Sequence, residues 1–208
     1  MSGPKFWAVV PAAGIGSRMG EALPKQYLRL KDKAVMTWTL ERLLSISAIE
    51  QILVCLHPDD SYWPSLPFSD EVRITTTPGG SERCDSVLLG LKALEPLADK
   101  DDWVLVHDAA RPCVRPSQIE TLIDALASHP VGGILAMPIS DTLKRADGEL
   151  ITTTVDRSHL WAAHTPQMFR YGLLREALSQ AMAEGIQVTD EASALEAMGL
   201  QSLIVEDR

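Results

Sequence analysis

Short apolar runs alternate along the chain with longer stretches in which apolar residues recur at helical spacing. The first pattern predicts buried β-strands, and the second predicts amphipathic helices. The predicted strands cover residues 6–11, 52–56, 72–77, 103–107, 134–137 and 202–205. The predicted helices cover residues 35–47, 81–94, 117–128, 170–184 and 189–198. Apolar strands that alternate with helices are typical of an α/β fold, in which helices cover both faces of a mainly parallel sheet.

Polar residues near the helix starts predict where each helix begins. Ser81, followed by the acidic Glu82, predicts the N-cap of the second helix. Ser117 and Glu120 have the spacing of a capping box. Thr189 is expected to be the N-cap of the last helix.

The alternation is interrupted by a polar stretch over residues 138–157. Within it, Ala146-Asp-Gly148 separates two strand-like runs, and an Asp-Gly pair in that position predicts a β-hairpin. This hairpin has no apolar face wide enough for a core of its own. We therefore expect either a flap or an arm that packs on a partner chain.

Length and charge exclude several classes of protein. The 208 residues predict one domain over residues 1–208, with the 138–157 hairpin inside it. The formal net charge of −9 argues against a nucleic-acid-binding protein, which needs a basic face. The charge is uneven, because residues 1–33 carry six basic and two acidic side chains, a local charge of +4 against −13 for the rest. This local excess indicates a site for a small anion in an otherwise acidic protein.

Cysteine usage and apolar run lengths bear on the cellular compartment. Cys55, Cys84 and Cys113 are far apart and lack CxxC spacing, so neither a zinc site nor a disulfide is predicted. No window approaches the ~18 unbroken apolar residues of a membrane span. Residues 1–7 contain no apolar stretch long enough for a signal peptide. We expect a cytoplasmic protein without a membrane partner.

A glycine-rich loop follows the first predicted strand directly. Small residues in Pro11-Ala-Ala-Gly-Ile-Gly-Ser-Arg-Met19 let backbone N–H groups approach phosphate oxygens. The loop lacks both the GxxxxGK[ST] motif of a P-loop and a complete GxGxxG dinucleotide motif, so a tight strand-to-helix turn explains it equally well. Two cations, Arg18 in the loop and Lys25 in Leu23-Pro-Lys-Gln-Tyr27, add the charge that a triphosphate needs.

With these residues, the segment resembles the nucleotide-binding signature of nucleotidyltransferases with a Rossmann-like fold. The Pro24-Lys-Gln-Tyr27 form is similar to one family among them, the 2-C-methyl-D-erythritol 4-phosphate cytidylyltransferases of the non-mevalonate isoprenoid pathway. Other segments between about residue 8 and residue 206 match the same family in order. They are residues 79–87, Val106-His-Asp-Ala-Ala-Arg-Pro112, residues 141–145 with 154–157, Thr165-Pro-Gln167 and Thr189-Asp-Glu-Ala-Ser193.

The resemblance implies a fold, a reaction and an assembly. The fold would be a three-layer, Rossmann-like, mainly parallel sheet with a protruding β-hairpin arm. The reaction would transfer CMP from CTP to 2-C-methyl-D-erythritol 4-phosphate and release pyrophosphate, with Mg²⁺ bridging the triphosphate oxygens. The arm would join two subunits into a homodimer and supply acceptor contacts across the interface.

The resemblance also implies roles for individual residues. Arg18 and Lys25 would stabilise the charge on the α-phosphate in the transition state, and Arg157 would place the attacking phosphate. The residues expected to hold the nucleotide are Ala12, Ala13, Gly14, Gly80, Ser81, Ser86 and Ala109. The residues expected to hold the acceptor are Asp108, Arg111, Thr142, Arg157, Thr165 and Thr189.

The central motif has both functional and structural interpretations. Asp108 follows a strand, at the edge where ligands bind in open α/β sheets, and the resemblance places it near the metal and the acceptor. It could instead cap the next turn. Arg111 could bind a phosphate or pair with Asp108. His107 is expected to be a packed strand residue rather than a catalyst.

Several alternatives remain open from the sequence. Another polyol phosphate, such as ribitol 5-phosphate, could be the acceptor, because the nucleotide half would look the same. A sugar-1-phosphate uridylyl- or thymidylyltransferase is disfavoured by Pro24-Lys-Gln-Tyr27, and a dehydrogenase by the incomplete dinucleotide motif. A regulatory nucleotide-binding module without catalysis is disfavoured by Arg18, Lys25 and Asp108.

The family carries a further segment after its last strand, with an Asn-x-Lys-Val-Thr run whose lysine helps to position the acceptor phosphate. The printed sequence stops at Val205-Glu-Asp-Arg208, before such a run. We expect either a tail beyond these residues or a shortened protein, and assign no residue to that lysine's role.

Overall fold

A computed structural model describes residues 3–14 and 23–207, so Arg18 lies outside the described residues. The strands are β1 (Phe6–Ala12), β2 (Arg29–Leu30), β3 (Lys33–Ala34), β4 (Ile49–Leu56), β5 (Ile74–Pro78), β6 (Trp103–Val106), β7 (Gly132–Pro138), β8 (Leu143–Asp147), β9 (Leu150–Val155), β10 (Trp161–Arg170) and β11 (Leu203–Glu206). The helices are α1 (Val35–Leu44), α2 (Arg83–Leu94), α3 (Pro116–Leu126), α4 (Tyr171–Ala183) and α5 (Glu191–Ala197). None of these helices has the length and apolar character needed to cross a membrane.

Seven strands form one sheet in the order β11-β7-β10-β6-β1-β4-β5. Strand β1 pairs in parallel with β4 and β6, and the β4–β5 and β7–β11 pairs are also parallel. Strand β10 is antiparallel to both of its neighbours, β6 and β7. The prediction of an α/β fold with a mainly parallel sheet is therefore confirmed.

Helices cover both faces of this sheet. Successive side chains of a strand point to opposite faces, so each strand contributes to two cores. In β1, Ala8 and Val10 contribute to the core on the side of α1 and α3. Trp7 and Val9 contribute to the core on the side of α2, α4 and α5. The helices and the sheet thus form three layers, which explains why the central strands have unbroken apolar runs rather than alternating ones.

The carboxyl ends of three parallel strands bring distant segments of the chain to one edge of the sheet. Residues 13–14 follow β1, Gly79 and Gly80 follow β5, and residues 107–110 follow β6. In open α/β sheets ligands bind outside this edge. The topology therefore groups the glycine-rich loop, the paired glycines and the central motif, although 65 positions separate Gly14 from Gly79 and 27 separate Gly80 from His107.

Strands β8 and β9 form a separate two-stranded antiparallel sheet, which confirms the predicted hairpin arm. Asp147 pairs with Leu150, so Gly148 and Glu149 form the turn. Gly148 has a φ of 57°, a left-handed conformation that glycine adopts without steric cost. Leu150 is 76% exposed and Ile151 is 66% exposed, so the arm carries apolar side chains that the described part of the chain leaves uncovered.

The predicted N-cap of α2 is wrong by one position. The helix begins at Arg83 with Glu82, rather than Ser81, as its N-cap. The Asp85 carboxylate accepts the backbone N–H of Glu82 at 3.0 Å and the Ser81 hydroxyl at 2.8 Å. Ser81 is therefore held outside the helix as a partner of Asp85.

The capping box predicted from Ser117 and Glu120 is also wrong. Helix α3 begins earlier, at Pro116, because proline lacks the N–H that a first helical residue leaves unpaired. The Gln118 side chain accepts the backbone N–H of Arg115 at 2.7 Å and closes the helix start.

The N-cap of α5 is Asp190 rather than the predicted Thr189. The Asp190 carboxylate accepts the backbone N–H of Ser193 at 3.0 Å. Thr189 thus lies one residue before the cap, with its side chain exposed.

Two elements were not predicted from the pattern. Strand β10 contains Thr165-Pro166, and its pairing with β7 shifts between Ala163 and Gln167, so no continuous strand pattern is visible in the sequence. The short β2–β3 pair alternates charged and apolar residues and is partly or fully exposed, and therefore lacks an apolar run.

Candidate active site

A pocket opens at the edge of the sheet where β1, β5 and β6 end. It is lined by Pro11, Ala12, Ala13, Gly14, Lys25, Gln26, Gly80, Ser81, Glu82, Arg83, Ser86, Asp108, Ala109 and Ala110. All seven residues that the resemblance assigns to the nucleotide line this pocket, together with Lys25 and Asp108. The structure thus brings residues 11–14 of the glycine-rich loop, Lys25 and residues 108–110 of the central motif to one cavity.

Gln26 fixes Lys25 at the mouth of this pocket. Its buried side chain donates from Nε2 to the carbonyl oxygens of Ala12, at 2.8 Å, and Gly14, at 3.1 Å. The next residue, Tyr27, is also buried and donates its hydroxyl to Asp60 at 2.7 Å. Lys25 directly precedes these two anchors and remains exposed, so its ammonium group can meet an anion.

The paired glycines let the loop after β5 approach the loop after β1. A Cβ on Gly79 would lie 2.6 Å from the Ala13 Cβ, and one on Gly80 would lie 2.3 Å from the Asp85 Cβ. Both distances are far below normal contact, so only glycine fits. Ser86 Oγ accepts the N–H of Gly80 at 3.0 Å and holds the loop against the start of α2.

Asp108 lies between two arginines. Its Oδ1 accepts from Arg83 Nε at 2.8 Å, and its Oδ2 accepts from Arg111 Nε at 2.8 Å. The terminal nitrogens of Arg83 also engage both carboxylate oxygens of Glu191, at 2.6 and 3.0 Å. Of the two roles considered for Arg111, the structure shows the pairing with Asp108. The Arg111 side chain is nevertheless half exposed.

Burial and charge act in opposite directions on this cluster. Burial opposes ionisation of Asp108, but the Arg83 and Arg111 guanidinium groups outweigh it and lower the pKa of this carboxyl. Burial raises the pKa of Glu191, and Arg83 offsets part of that rise. Burial also opposes the charge on Arg83, yet Glu191 and Asp108 together raise its pKa. The carboxylate of Asp108 is thus kept ionised at the pocket.

His107 is fully buried beside Asp108, as expected from its position at a strand end. Its Nε2 lies 3.0 Å from the carbonyl oxygen of Arg111, which can only accept, so Nε2 carries the proton. Nδ1 then accepts from the Thr165 hydroxyl at 2.9 Å. Burial lowers the pKa of His107 to about 4, so the ring is neutral near pH 7 and its Nδ1 orients the Thr165 hydroxyl.

The residues that the resemblance assigns to the acceptor do not all come together. Arg111 and Thr165 line a second pocket, which shares Ala110 with the first. Thr142 and Arg157 lie at the ends of the hairpin arm, and Thr189 precedes α5; all three are exposed and line neither pocket. Within one chain, the nucleotide set is therefore assembled and the acceptor set is divided.

No group of three or more His, Cys, Asp or Glu side chains suited to a metal occurs among residues 3–14 and 23–207. Asp108, the residue expected near a metal, has each carboxylate oxygen engaged by an arginine. The pocket lining offers two carboxylates, Glu82 and Asp108, so a divalent ion there would need further ligands. Mg²⁺ accepts such an arrangement, because it often takes one or two carboxylates and completes its shell with phosphate oxygens and water.

Three residues of this region were quoted in motifs but not assigned a role from the sequence. Arg83 and Glu191 form the ion pair described above, and Gln167 anchors α5. The Gln167 side chain donates to Asp190 at 2.8 Å and accepts the N–H of Ala192 at 3.0 Å. The sequence feature that could have pointed to Arg83 and Glu191 is that each lies at a predicted helix start. Their pairing, however, spans 108 positions and leaves no local pattern.

The comparisons with known proteins agree with this geometry. The family model described as 2-C-methyl-D-erythritol 4-phosphate cytidylyltransferase matches residues 6–208. A relative of that name from Ectopseudomonas mendocina is 51% identical over 206 residues, which are 98% of this chain and 88% of the relative. Another from Hahella chejuensis is 50% identical over 204 residues, or 97% of this chain and 84% of the relative.

Two solved structures have the same fold as this chain. A crystal structure of 4-diphosphocytidyl-2C-methyl-D-erythritol synthase is 36% identical with a TM-score of 0.88, and the match covers 100% of this chain and 91% of that one. The Francisella tularensis 2-C-methyl-D-erythritol 4-phosphate cytidylyltransferase is 33% identical with a TM-score of 0.84, over 97% of this chain and 90% of that one.

Proposed function

Because the chain belongs to the 2-C-methyl-D-erythritol 4-phosphate cytidylyltransferase family, we propose that the pocket between Lys25 and Asp108 is where it transfers CMP from CTP. The acceptor is 2-C-methyl-D-erythritol 4-phosphate, and the products are 4-diphosphocytidyl-2-C-methyl-D-erythritol and pyrophosphate. The observation that carries the proposal is that one cavity is lined by the whole expected nucleotide set, by Lys25 and by Asp108.

The reaction is an in-line displacement at phosphorus. An ionised phosphate oxygen of the acceptor forms a bond to the α-phosphorus of CTP. The bond from that phosphorus to the oxygen bridging it to the β-phosphate breaks, and the electron pair leaves with pyrophosphate. The nucleophile is already ionised at neutral pH, so catalysis consists of positioning and charge stabilisation.

Lys25 and Arg18 supply the positive charge in this proposal. The ammonium group of Lys25 is exposed at the pocket, and its backbone is fixed by the hydrogen bonds of Gln26. A preorganised cation of this kind stabilises the charge that accumulates on the α-phosphate in the transition state. Arg18 is assigned the same role by the resemblance and lies outside the described residues.

Asp108, Arg111 and Thr165 form the acceptor side of the site. Thr165 is oriented by His107, and Arg111 is half exposed beside Asp108, where its remaining N–H groups can meet a phosphate. The second pocket, which shares Ala110 with the first, gives the acceptor a place next to the nucleotide. Attack on the α-phosphate requires such adjacent sites.

We propose that a second copy of the chain completes the acceptor site. Thr142, Arg157 and the exposed apolar pair Leu150 and Ile151 all lie on the arm, away from both pockets of their own chain. A homodimer in which each arm packs on the other subunit would cover the apolar pair. It would also deliver Arg157 to the partner's attacking phosphate. Thr189 would hold the same ligand from the loop before α5.

Mg²⁺ is the proposed cofactor, and Asp108 at the pocket would help to hold it beside the triphosphate. When bound, it would neutralise phosphate charge. The three free cysteines, Cys55, Cys84 and Cys113, support a reducing compartment, and we propose that the protein acts in the cytoplasm.

A pyrophosphate-release assay tests the function directly. With CTP and Mg²⁺, 2-C-methyl-D-erythritol 4-phosphate is expected to support turnover, and ribitol 5-phosphate at the same concentration is expected to support little. Faster turnover with ribitol 5-phosphate would identify that compound as the acceptor instead. No turnover with either compound, in a folded protein that binds CTP, would contradict the enzymatic function.

A further inference from the structure

The guanidinium group of Arg83 connects three parts of the fold at the pocket. Arg83 opens α2, Asp108 follows β6 and Glu191 opens α5. Arg83 Nε lies 2.8 Å from Asp108, and both terminal nitrogens of Arg83 engage Glu191. Three donors of one planar group are thus used by two carboxylates that lie 83 positions apart in the chain.

Glu191 is separated from any ligand of the site. Its side chain is only 1% exposed, and it lines neither of the two pockets. Arg83 and Asp108, by contrast, both line the first pocket. The side-chain hydrogen bonds that connect Glu191 to the pocket therefore pass through Arg83.

The geometry explains how this contribution is made. A guanidinium group is planar and rigid, so a carboxylate that holds both terminal nitrogens also sets the direction of the Nε–H. In Arg83 that third donor is directed at Asp108. A buried ion pair adds little net stability compared with apolar packing, so stability alone does not account for this arrangement.

We propose that Glu191 is a positioning residue of the transfer reaction, which orients Arg83 and thereby the Asp108 carboxylate in the pocket. The inference rests on the proposed function, in which Asp108 contacts the acceptor. Arg83 is neutralised by two carboxylates and accordingly serves to position Asp108 rather than to bind phosphate.

The start of α5 has a second anchor, which makes the proposal testable by substitution. Gln167 holds Asp190 at 2.8 Å and the N–H of Ala192 at 3.0 Å, independently of Glu191. Changing the Glu191 carboxylate should therefore leave the helix in place. Glu191→Gln keeps the size of the side chain but can accept from only one terminal nitrogen of Arg83.

In the full-length protein, Glu191→Gln is expected to lower kcat/KM for the acceptor by about tenfold, while KM for CTP stays within about twofold of the original value. The matched control is Glu95→Gln, which removes a carboxylate 2.8 Å from Arg175 on the surface. The control is expected to match the unsubstituted protein in both parameters. Thermal unfolding of each variant reports the effect on stability separately.

A double-variant cycle distinguishes positioning from general stability. In an Asp108→Asn background, Glu191→Gln is expected to have almost no further effect on acceptor kcat/KM, because its route to the site has been removed. A full additional loss in that background would overturn the proposal. If Glu191→Gln does not fold, Arg83→Lys replaces it, since it keeps the charge but lacks the fork, and the same selective loss is expected.

The outcomes separate this inference from the function on which it rests. An unsubstituted protein that is inactive with CTP and 2-C-methyl-D-erythritol 4-phosphate would contradict the proposed function. An active unsubstituted protein whose Glu191→Gln variant behaves like Glu95→Gln would contradict only the positioning role.

Discussion

The side-chain nitrogen of Gln26 donates a hydrogen bond to the carbonyl oxygen of Ala12 at 2.8 Å. This contact joins the segment that carries Lys25 to the end of the first strand, and a second bond from the same nitrogen reaches Gly14. Because both carbonyls belong to the loop that lines the pocket, Gln26 sets the distance between the proposed cation and the nucleotide-binding loop.

Replacing Gln26 with alanine should therefore weaken both nucleotide binding and stability. The buried carbonyl of Ala12 left without this donor costs about 1–3 kcal/mol, and the segment that carries Lys25 loses its tether. We expect a higher KM for CTP and a lower unfolding midpoint in urea. Gln51→Ala, which removes an exposed bond to Thr75, is the control and should change neither quantity. An unchanged KM for CTP in Gln26→Ala would contradict the tether.

Lys25→Ala should reduce turnover without unfolding the protein. Loss of one preorganised charge at the α-phosphate is expected to lower kcat more than ~100-fold. The side chain is exposed, so the unfolding midpoint should stay unchanged. Lys92→Ala, at an exposed position of α2, controls for a general loss of positive charge. Wild-type kcat in Lys25→Ala would refute the assigned role.

His107 should make the stability of the protein depend on pH. Its pKa of about 4 in the folded state lies below its ordinary value of 6.5, so between these values the unfolded chain binds more protons than the folded one. Stability should accordingly fall as the pH falls from about 6.5 to about 4, by about 3 kcal/mol in total from this group. Urea unfolding at several pH values measures this slope.

Comparison with variants isolates the contribution of His107, since other groups titrate in the same range. His107→Asn should show a smaller loss of stability than the unsubstituted protein between those pH values. His159→Asn, at an exposed position, should follow the unsubstituted protein. Parallel curves for the unsubstituted protein and His107→Asn would show that the buried ring does not cause the slope.

The division of the acceptor residues between pocket and arm predicts that inactive variants complement each other. Lys25→Ala and Arg157→Ala should each be nearly inactive alone. In mixed dimers, one site combines Lys25 from one subunit with Arg157 from the other, so random mixing should restore about a quarter of the sites. Absence of any recovery in verified mixed dimers would place Arg157 in its own subunit's site.

The apolar residues of the arm provide a separate test of the dimer. Ile151→Asp introduces a charge at a position that the second subunit is expected to cover, and it should shift the protein towards monomer in sedimentation experiments. Val72→Asp changes an even more exposed apolar residue elsewhere and should leave the assembly unchanged. A monomeric unsubstituted protein with full activity would contradict the proposed arrangement.

The sequence by itself determined the elements whose signals are local. Unbroken apolar runs such as Trp103–Val106 are strands because both faces of a parallel sheet are covered, and the family motifs marked the loops that follow them. The hairpin was visible because its turn needs Gly148. The residues predicted for the nucleotide were found in one pocket because they lie at or near the carboxyl ends of parallel strands.

Only the tertiary structure decided the pairings between distant residues. Strand β10 was invisible in the sequence because its neighbours, β6 and β7, lie far along the chain and it contains Pro166. Thr189 was replaced as N-cap by Asp190, whose carboxylate Gln167 also holds from β10. The Arg83–Glu191 ion pair has no local pattern at all, because each side chain selects its partner only after the sheet has placed α2 beside α5. The spacing of apolar residues shows which side of a helix or strand is buried. It carries no information on the element that packs against that side, which is determined by the tertiary structure.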